Sequence, residues 1–195
     1  MNAASPAKRK TLVVVMGVAG SGKTTVGQIL ARRLGWSFAE ADDFHSAANV
    51  AKMASGIPLT DEDRRPWLES IRSWADASPG DSVITCSALR RSYRDILRGA
   101  QATVRFVHLN GTPEAIGARI AARTDHFMPS SMLDSQIATL EPLESDEDGV
   151  VIEITGTPEE IAASAIKALG LLEAEAGHGD FEQSQTSRPG FDQSP

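Results

Sequence analysis

One short run of the sequence has the residue types and the spacing to hold phosphate groups. Residues 17 to 24 read Gly-Val-Ala-Gly-Ser-Gly-Lys-Thr and match G-x-x-x-x-G-K-[ST] at every fixed position. In this pattern glycines let successive backbone N–H groups turn inward onto phosphate oxygens. Lys23 then reaches the β- and γ-phosphates, and the Thr24 hydroxyl is a ligand for Mg²⁺. The run predicts a binding site for a nucleoside triphosphate.

The elements on either side of this run fit a phosphate cradle. An apolar, β-branched stretch over 12 to 16 predicts a strand buried on both faces, and 23 to 34 has the periodicity of a helix that ends at Gly35. The positive N-terminal end of that helix adds to the attraction for phosphate. We therefore predict that nucleotide-binding contacts come from Gly17, Ala19, Gly20, Ser21, Gly22, Lys23, Thr24 and Thr25.

Strand and helix patterns alternate along the rest of the chain. The predicted strands cover 12–16, 37–40, 82–86, 103–109 and 150–154, and the predicted helices cover 23–34, 47–53, 63–77, 89–98, a segment from 113, 132–140 and 158–172. Ser87, Thr112 and Thr157 are the predicted caps of three of these helices. Strands joined through helices imply an α/β fold with three layers, a five-stranded parallel sheet covered by helices on both faces.

Length and composition limit the remaining possibilities. The chain has 195 residues, and we predict one domain over 11–172 between disordered tails at 1–10 and 173–195. A net charge of −7 argues against a general nucleic-acid binder. A single cysteine, Cys86, cannot form an intrachain disulfide or a zinc cluster. The apolar run after basic residues 8–10 resembles the start of a secretory signal, but it leads straight into the phosphate motif, where a cleavage site should be. No apolar stretch approaches the length of a membrane span. We therefore predict a cytoplasmic protein without membrane partners.

The phosphate motif alone does not say which acceptor receives a phosphoryl group, because GTPases, ATPase motors and small-molecule kinases share it. The sequence has no Asn-Lys-x-Asp element of the kind that reads guanine. The third predicted strand also ends without the aspartate that motor ATPases place on Mg²⁺. These two features favour a small-molecule kinase.

An acidic turn follows the second predicted strand, where Asp42 and Asp43 precede His45. Ligands of parallel sheets bind at the carboxyl ends of the strands, so these side chains should face the γ-phosphate. A carboxylate there would orient the attacking hydroxyl, accept its proton or hold Mg²⁺. A solvated acidic turn is the alternative interpretation.

Four further segments resemble the gluconokinase family. They are the run NVAKMASGIPLTDEDRRPWL at 49–68, CSALRRSYRD at 86–95, RTDHFM at 123–128, and the segment that begins with Ser135-Gln136 and ends with Leu140-Glu141-Pro142. They occur in the family's order and at compatible spacing, and the resemblance spans about residues 11 to 170. Ala41 and Ser46 depart from the family pattern, which usually has glycine and proline there.

The resemblance implies ATP-dependent phosphorylation of D-gluconate at its 6-hydroxyl, giving 6-phosphogluconate and ADP. It also implies a fold like that of nucleoside monophosphate kinases, a lid at about 123–135, Mg²⁺ and a homodimer. The alternatives are a related kinase for shikimate or another small hydroxy acid, and a module that binds nucleotide only to change shape.

Gluconate carries a carboxylate and several hydroxyl groups, so its site should contain arginines. Arg64, Arg90 and Arg94 lie in the matching segments, and which of them meets the carboxylate stays open. His45 matches a family position near the substrate, and His126 lies in the lid segment.

Arg119 and Arg123 are four residues apart on a helix that leads into the lid, so they share a face. We expect Arg123 to neutralise charge on the transferring phosphoryl group and Arg119 to pack near the adenine, with Thr157 and Pro158 bordering the base. The predicted catalytic residues are Lys23, Asp42 and Arg123, and the predicted Mg²⁺ ligands are Thr24 and Asp42.

Overall fold

A computed structural model describes residues 9–121 and 130–172 of the chain. Its sheet has five strands in the order β2-β3-β1-β4-β5, and every neighbouring pair is parallel. The strands are β1 (Thr11–Met16), β2 (Ser37–Glu40), β3 (Ser82–Thr85), β4 (Thr103–Asn110) and β5 (Gly149–Glu153). The predicted fold class is confirmed, and each strand lies within a residue or two of its predicted position.

Seven α-helices and one 3-10 turn occur in the described residues. The helices are α1 (Lys23–Leu34), α2 (Ala47–Ala54), α3 (Asp61–Ala77), α4 (Arg91–Arg98), α5 (Pro113–Ala121), α6 (Ser130–Thr139) and α7 (Pro158–Ala168). The acidic turn forms a single 3-10 turn over Ala41–Phe44, which the sequence patterns did not predict. Thr60 caps α3 in a capping box with Asp63, so this helix begins two residues earlier than predicted.

The predicted start of α4 is wrong. Ser87 does not cap this helix, because Ala88 adopts a left-handed conformation with φ of 44° and Arg90 is extended at the N-cap. The helix therefore begins at Arg91 rather than at residue 89. As a result, residues 86 to 90 form an irregular segment at the carboxyl end of β3.

The core lies on both faces of the central strand. Val13 and Val15 of β1 point to the face covered by α1 and α7, while Leu12 and Val14 point to the face covered by α3 and α4. All four side chains are fully buried. This alternation of faces explains why residues 12–16 of β1 are an unbroken apolar run, because each of these side chains enters a core.

Helix α1 lies unusually close to the sheet at Gly27. A Cβ atom at this position would be 2.7 Å from Cγ2 of Thr85 and 3.0 Å from Cε2 of Phe38. Only a residue without a side chain fits in this gap, so the close approach depends on glycine. The spacing sets the height of the first turn of α1 above the strands.

Several predictions fall outside the described residues: the tail segments 1–8 and 173–195, most of the lid, Arg123 and His126. Within the described part, the N-terminal boundary needs a correction. Lys10, which the tail prediction included, donates hydrogen bonds from Nζ to the carbonyls of Asp76 and Ser78. The ordered chain therefore begins before residue 11. Among the described helices, none combines the length and apolarity needed to cross a membrane.

Candidate active site

The loop between β1 and α1 has the backbone geometry of a phosphate cradle. Gly17, Gly20 and Gly22 have φ angles of 140°, 79° and 94°, in the region that side chains disfavour. A Cβ atom at Gly17 would lie 2.8 Å from the carbonyl oxygen of Leu109. The loop therefore needs glycine for both its conformation and its packing at the end of the central strand.

The predicted phosphate ligands lie around this loop. Lys23 Nζ donates to the Val18 carbonyl at 3.0 Å, so the ammonium group lies across the loop. Thr24 and Thr25 are exposed in the first turn of α1. Ser21 is fully buried beneath the loop, and its Oγ has no hydrogen-bond partner among the described residues. The hydroxyl of Ser21 is therefore out of reach of a ligand in solution, whereas Thr24 is exposed at the positive end of the helix.

Asp42 is exposed on the 3-10 turn, and its charge and that of Lys23 both act on Cys86. Burial raises the pKa of the Cys86 thiol to about 12, and the charges of Asp42 and Lys23 act on the same thiol in opposite directions. The thiol of Cys86 is thus held in its neutral form, which fits a packing role rather than a nucleophilic one. The hydroxyl of Thr24 and the exposed carboxylate of Asp42 are hard oxygen donors, which are the kind that Mg²⁺ prefers.

The 3-10 turn is fixed to helix α3 through Trp67. The indole Nε1 donates to the Ala41 carbonyl at 2.6 Å, and the ring stacks on His45 with centroids 4.3 Å apart. Burial lowers the pKa of His45, an effect that Asp42 opposes and that Arg64 reinforces. Asp42 and Arg64 thus both lie close enough to His45 for their charges to act on it.

A shallow cavity of about 260 Å³ opens beside the cradle, on the side of α7. It is lined by Gly20, Gly22, Thr25, Val26, Arg119, Pro158 and Ile161. Arg119 donates to the Ile154 carbonyl at 2.6 Å and also contacts the carbonyl of Ser21. Thr157 instead caps α7 in a capping box with Glu160, so the hydroxyl of Thr157 is engaged in the helix end.

A second cavity, of about 200 Å³, lies among α3, α4, α6 and the segment that follows β3. Its lining is more polar and consists of Arg64, Ser87, Leu89, Arg90, Tyr93, Ser135, Gln136 and Thr139. We call it the acceptor pocket. It contains two of the three arginines that the sequence analysis proposed for the acidic end of the substrate.

Tyr93 and Asp61 hold these two arginines in place. The Tyr93 hydroxyl donates to Asp61 Oδ1 at 2.6 Å, and Arg90 Nη1 donates to Asp61 Oδ2 at 3.0 Å. The guanidinium groups of Arg64 and Arg90 lie 5.6 and 5.8 Å from the Tyr93 ring centroid. The hydrogen bond from Tyr93 lowers the pKa of Asp61, so this carboxylate stays charged beside the arginines.

Arg94 is not in the acceptor pocket, and this part of the prediction needs correction. Its side chain is fully buried and pairs with Glu147, with Nε 2.6 Å from Oε1 and Nη2 2.9 Å from Oε2. The remaining N–H groups donate to backbone carbonyls, including those of Ala88 and Glu141. Because every donor is used internally, Arg94 supports the segment that lines the pocket and has none left for a ligand.

The polar residues that sequence reasoning missed include Tyr93 and Gln136, which line the pocket, and Asp61, which binds Tyr93 and Arg90 beside it. All three lie in segments that carried the family resemblance, but their residue types alone did not mark them as ligands. The spacing of Gln136 and Thr139 at i and i+3 was the available signal, because it places both on one face of α6.

Comparison with known proteins places this site in a family. A family profile described as shikimate kinase matches residues 19–170. The gluconokinase of Gluconobacter oxydans (strain 621H) is 50% identical over 148 residues, which make up 74% of this chain and 82% of that protein. The chain belongs to the gluconokinase family. It is therefore a kinase with a P-loop domain, as the sequence resemblance implied.

Two solved structures extend the match to three dimensions. A gluconokinase from Sinorhizobium meliloti 1021 is 42% identical, has a TM-score of 0.76 and is matched over 84% of this chain and 93% of its own. An unliganded sugar kinase from Janibacter sp. HTCC2649 is 51% identical, has a TM-score of 0.78 and is matched over 83% and 95%. The gluconokinase-family domain thus accounts for nearly all of the described residues.

Proposed function

We propose that the protein transfers the γ-phosphoryl group of ATP to the 6-hydroxyl of D-gluconate, producing 6-phosphogluconate and ADP. The observation that carries this proposal is that two cavities of different character adjoin the cradle. One cavity, beside α7, is open and partly apolar, and the acceptor pocket contains two arginines. A triphosphate held in the cradle would have its base on one side and a sugar acid on the other.

On the nucleotide side, the N–H groups of the glycine loop and the ammonium of Lys23 would bind the β- and γ-phosphates. Arg119 and Pro158 would border the adenine, because both line the cavity beside α7. Thr24 and Asp42 would hold Mg²⁺, which neutralises charge on the transferring group when it is bound. Arg123, from the lid segment, is proposed to add a positive charge there.

On the acceptor side, Arg64 and Arg90 would bind the carboxylate of gluconate. Arg64 donates through Nη1 to the Leu59 carbonyl, which fixes the direction of its guanidinium group. Arg90 is bound to Asp61 but is 42% exposed, so it has donors that face the pocket. A carboxylate bound by paired guanidinium groups would direct the far end of the sugar acid towards the cradle.

The chemical step then needs little covalent participation from the protein. The 6-oxygen of gluconate attacks the γ-phosphorus, the bond to the oxygen bridging to the β-phosphate breaks, and ADP leaves. Asp42 would orient the hydroxyl and accept its proton, while the ammonium group of Lys23 would stabilise the negative charge that develops on the leaving group. His45 and His126 would contact the acceptor, and lid closure would exclude water as a competing nucleophile.

A direct assay tests this proposal. Purified protein, MgATP and a panel containing D-gluconate, shikimate and other hydroxy acids should release ADP rapidly only with gluconate, and the product should carry phosphate on carbon 6. Faster turnover of shikimate than of gluconate would mean that shikimate is the substrate. ATP binding without phosphoryl transfer to any acceptor would favour a binding module. The cytoplasmic location and the homodimer stay predictions, to be checked by fractionation and by mass in solution.

A further inference from the structure

One side chain connects the cradle to the acceptor pocket directly. Gln136 lies on α6, and its Oε1 accepts a hydrogen bond from the backbone N–H of Ala19 at 2.7 Å. Ala19 is part of the glycine loop, and Gln136 also lines the acceptor pocket together with Arg64 and Arg90. A single carboxamide thus contacts both halves of the site.

The direction of this carboxamide is determined by chemistry. A backbone N–H only donates, so the atom that faces Ala19 must be the carbonyl oxygen of Gln136 and not its nitrogen. The NH₂ group then points away from the loop nitrogen. It donates to no side chain or backbone group in the part of the chain that the structure describes.

The helix that carries Gln136 is anchored on both sides of the pocket. Leu133 is buried in the core, and the amide of Glu141, just after α6, donates to the Leu89 carbonyl at 2.8 Å. The carboxylate of Glu141 in turn accepts from the backbone N–H of Arg91. Gln136 therefore projects from a fixed support, which is the property that a positioning side chain needs.

We infer that Gln136 is an acceptor-binding residue whose NH₂ group donates to the 5-hydroxyl of gluconate and so aligns the neighbouring 6-hydroxyl with the γ-phosphate. This inference rests on the proposed function. The carbonyl contact with Ala19 keeps the NH₂ group next to the cradle, so it meets the reacting end of the acceptor. The arginines bind the opposite, acidic end.

The two ends of the acceptor would then be recognised by different means. Arg64 and Arg90 would supply most of the attraction through charge, whereas Gln136 would supply alignment through one neutral hydrogen bond. A ligand with the acidic group but without the hydroxyl at carbon 5 would bind and still react poorly.

Two variants at position 136 separate these roles. Gln136→Glu keeps an oxygen for the Ala19 N–H but removes the NH₂ donor, and Gln136→Met removes both groups at similar length. We expect each to lower kcat/KM for gluconate about 10- to 100-fold, while the affinity for ADP changes less than about twofold. Asp134→Asn, an exposed residue on the same helix, is the control and should behave as wild type.

Deoxy analogues make the test specific. With 5-deoxygluconate in place of gluconate, kcat/KM of the wild type should fall about 10- to 100-fold as well. Gln136→Met should have the same kcat/KM as wild type for that analogue. With 2-deoxygluconate, kcat/KM of Gln136→Met should be lower than that of wild type by the same factor as with gluconate. A penalty that is equal for gluconate and both analogues would assign Gln136 a purely structural role and overturn the inference.

The outcomes also distinguish the inference from the proposed function. A wild-type protein inert towards gluconate would overturn the proposed function and the inference with it. An active wild type with Gln136 variants of unchanged kinetics would overturn only the inference. Thermal unfolding of Gln136→Glu should match wild type because the hydrogen bond from Ala19 is kept, whereas Gln136→Met should unfold at a slightly lower temperature because that bond is lost.

Discussion

The two sides of the phosphate cradle are built in different ways. The cradle and its nucleotide side are shaped by backbone: three glycines with positive φ, a helix N-terminus and carbonyl contacts from Arg119. The acceptor side is shaped by side chains, in which Tyr93 and Asp61 orient Arg64 and Arg90. A backbone site binds any triphosphate of the right size, while a side-chain site can be changed to fit a new acceptor. This difference explains how one fold serves kinases with different substrates.

The largest effect should come from the charge in the cradle. Lys23→Ala removes the ammonium group that is proposed to stabilise negative charge in the transition state, and we expect kcat to fall about 10³-fold or more. The far-ultraviolet circular dichroism spectrum should stay the same, because the helices and the sheet keep their backbone hydrogen bonds when this side chain is removed. Lys167→Ala, on the exposed side of α7, is the control. Retention of near wild-type kcat in Lys23→Ala would remove lysine from the proposed mechanism.

A second substitution tests what supports the acceptor side. Arg94→Leu leaves the buried Glu147 without its opposite charge, and we expect the free energy of unfolding to fall by about 3–5 kcal/mol in urea titrations. KM for gluconate should rise as well, since Arg94 holds the carbonyl of Ala88 beside the pocket.

The paired replacement of Arg94 by Met and Glu147 by Leu should recover much of this stability, because no buried charge is then left unpaired. It should not recover gluconate binding, because the contact with Ala88 is still missing. If stability and gluconate binding recovered together, the pocket would depend only on filling the space of Arg94 and Glu147 and not on the hydrogen bond to Ala88.

The arginines of the acceptor pocket should affect one substrate only. Arg64→Ala is expected to raise KM for gluconate about 10- to 100-fold, since a hydrogen bond to a charged group contributes about 1.5–3 kcal/mol. KM for MgATP should hardly change. Arg65→Ala, at the next, exposed position, is the matched control. Equal effects on both substrates would contradict the separation of the two sides.

Two capping boxes offer a balanced comparison of the sides. Thr60 caps α3 next to the acceptor pocket, and Thr157 caps α7 next to the nucleotide cavity. Each threonine replaced by alanine should lower the free energy of unfolding by about 1 kcal/mol. We expect Thr60→Ala to raise KM mainly for gluconate and Thr157→Ala mainly for MgATP. The reverse pattern would mean that the cavities are assigned to the wrong substrates.

The smallest effect concerns pH. Burial lowers the pKa of His45 in the folded protein, so the unfolded chain binds a proton more readily. The stability that neutral His45 supports is complete above the ordinary histidine pKa of 6.5 and declines as the pH falls below it. Urea titrations between pH 7 and 5 should show a shallower decline for His45→Gln than for wild type. His108→Gln should have a similar effect, because burial lowers its pKa as well.

The same contrast explains how far sequence reasoning reached. The cradle was predictable because its function depends on glycines at fixed spacing, and the strands because each apolar run enters a core. The start of α4 was not predictable, since the left-handed Ala88 follows from the tertiary contacts of Arg94. Arg94 was misassigned for the same reason, because the sequence shows an arginine but not whether its guanidinium group faces a ligand or the buried Glu147.

The narrow gap beneath Gly27 has a consequence for how the enzyme can change. Because α1 touches the strands almost directly, there is no slack in which the helix could tilt or slide when a substrate arrives. Adjustment during a catalytic cycle must then come from the parts above the sheet, with the first turn of α1 acting as a fixed reference point. Directed evolution towards new acceptors should accordingly succeed through replacements above that point and fail through replacements at residue 27.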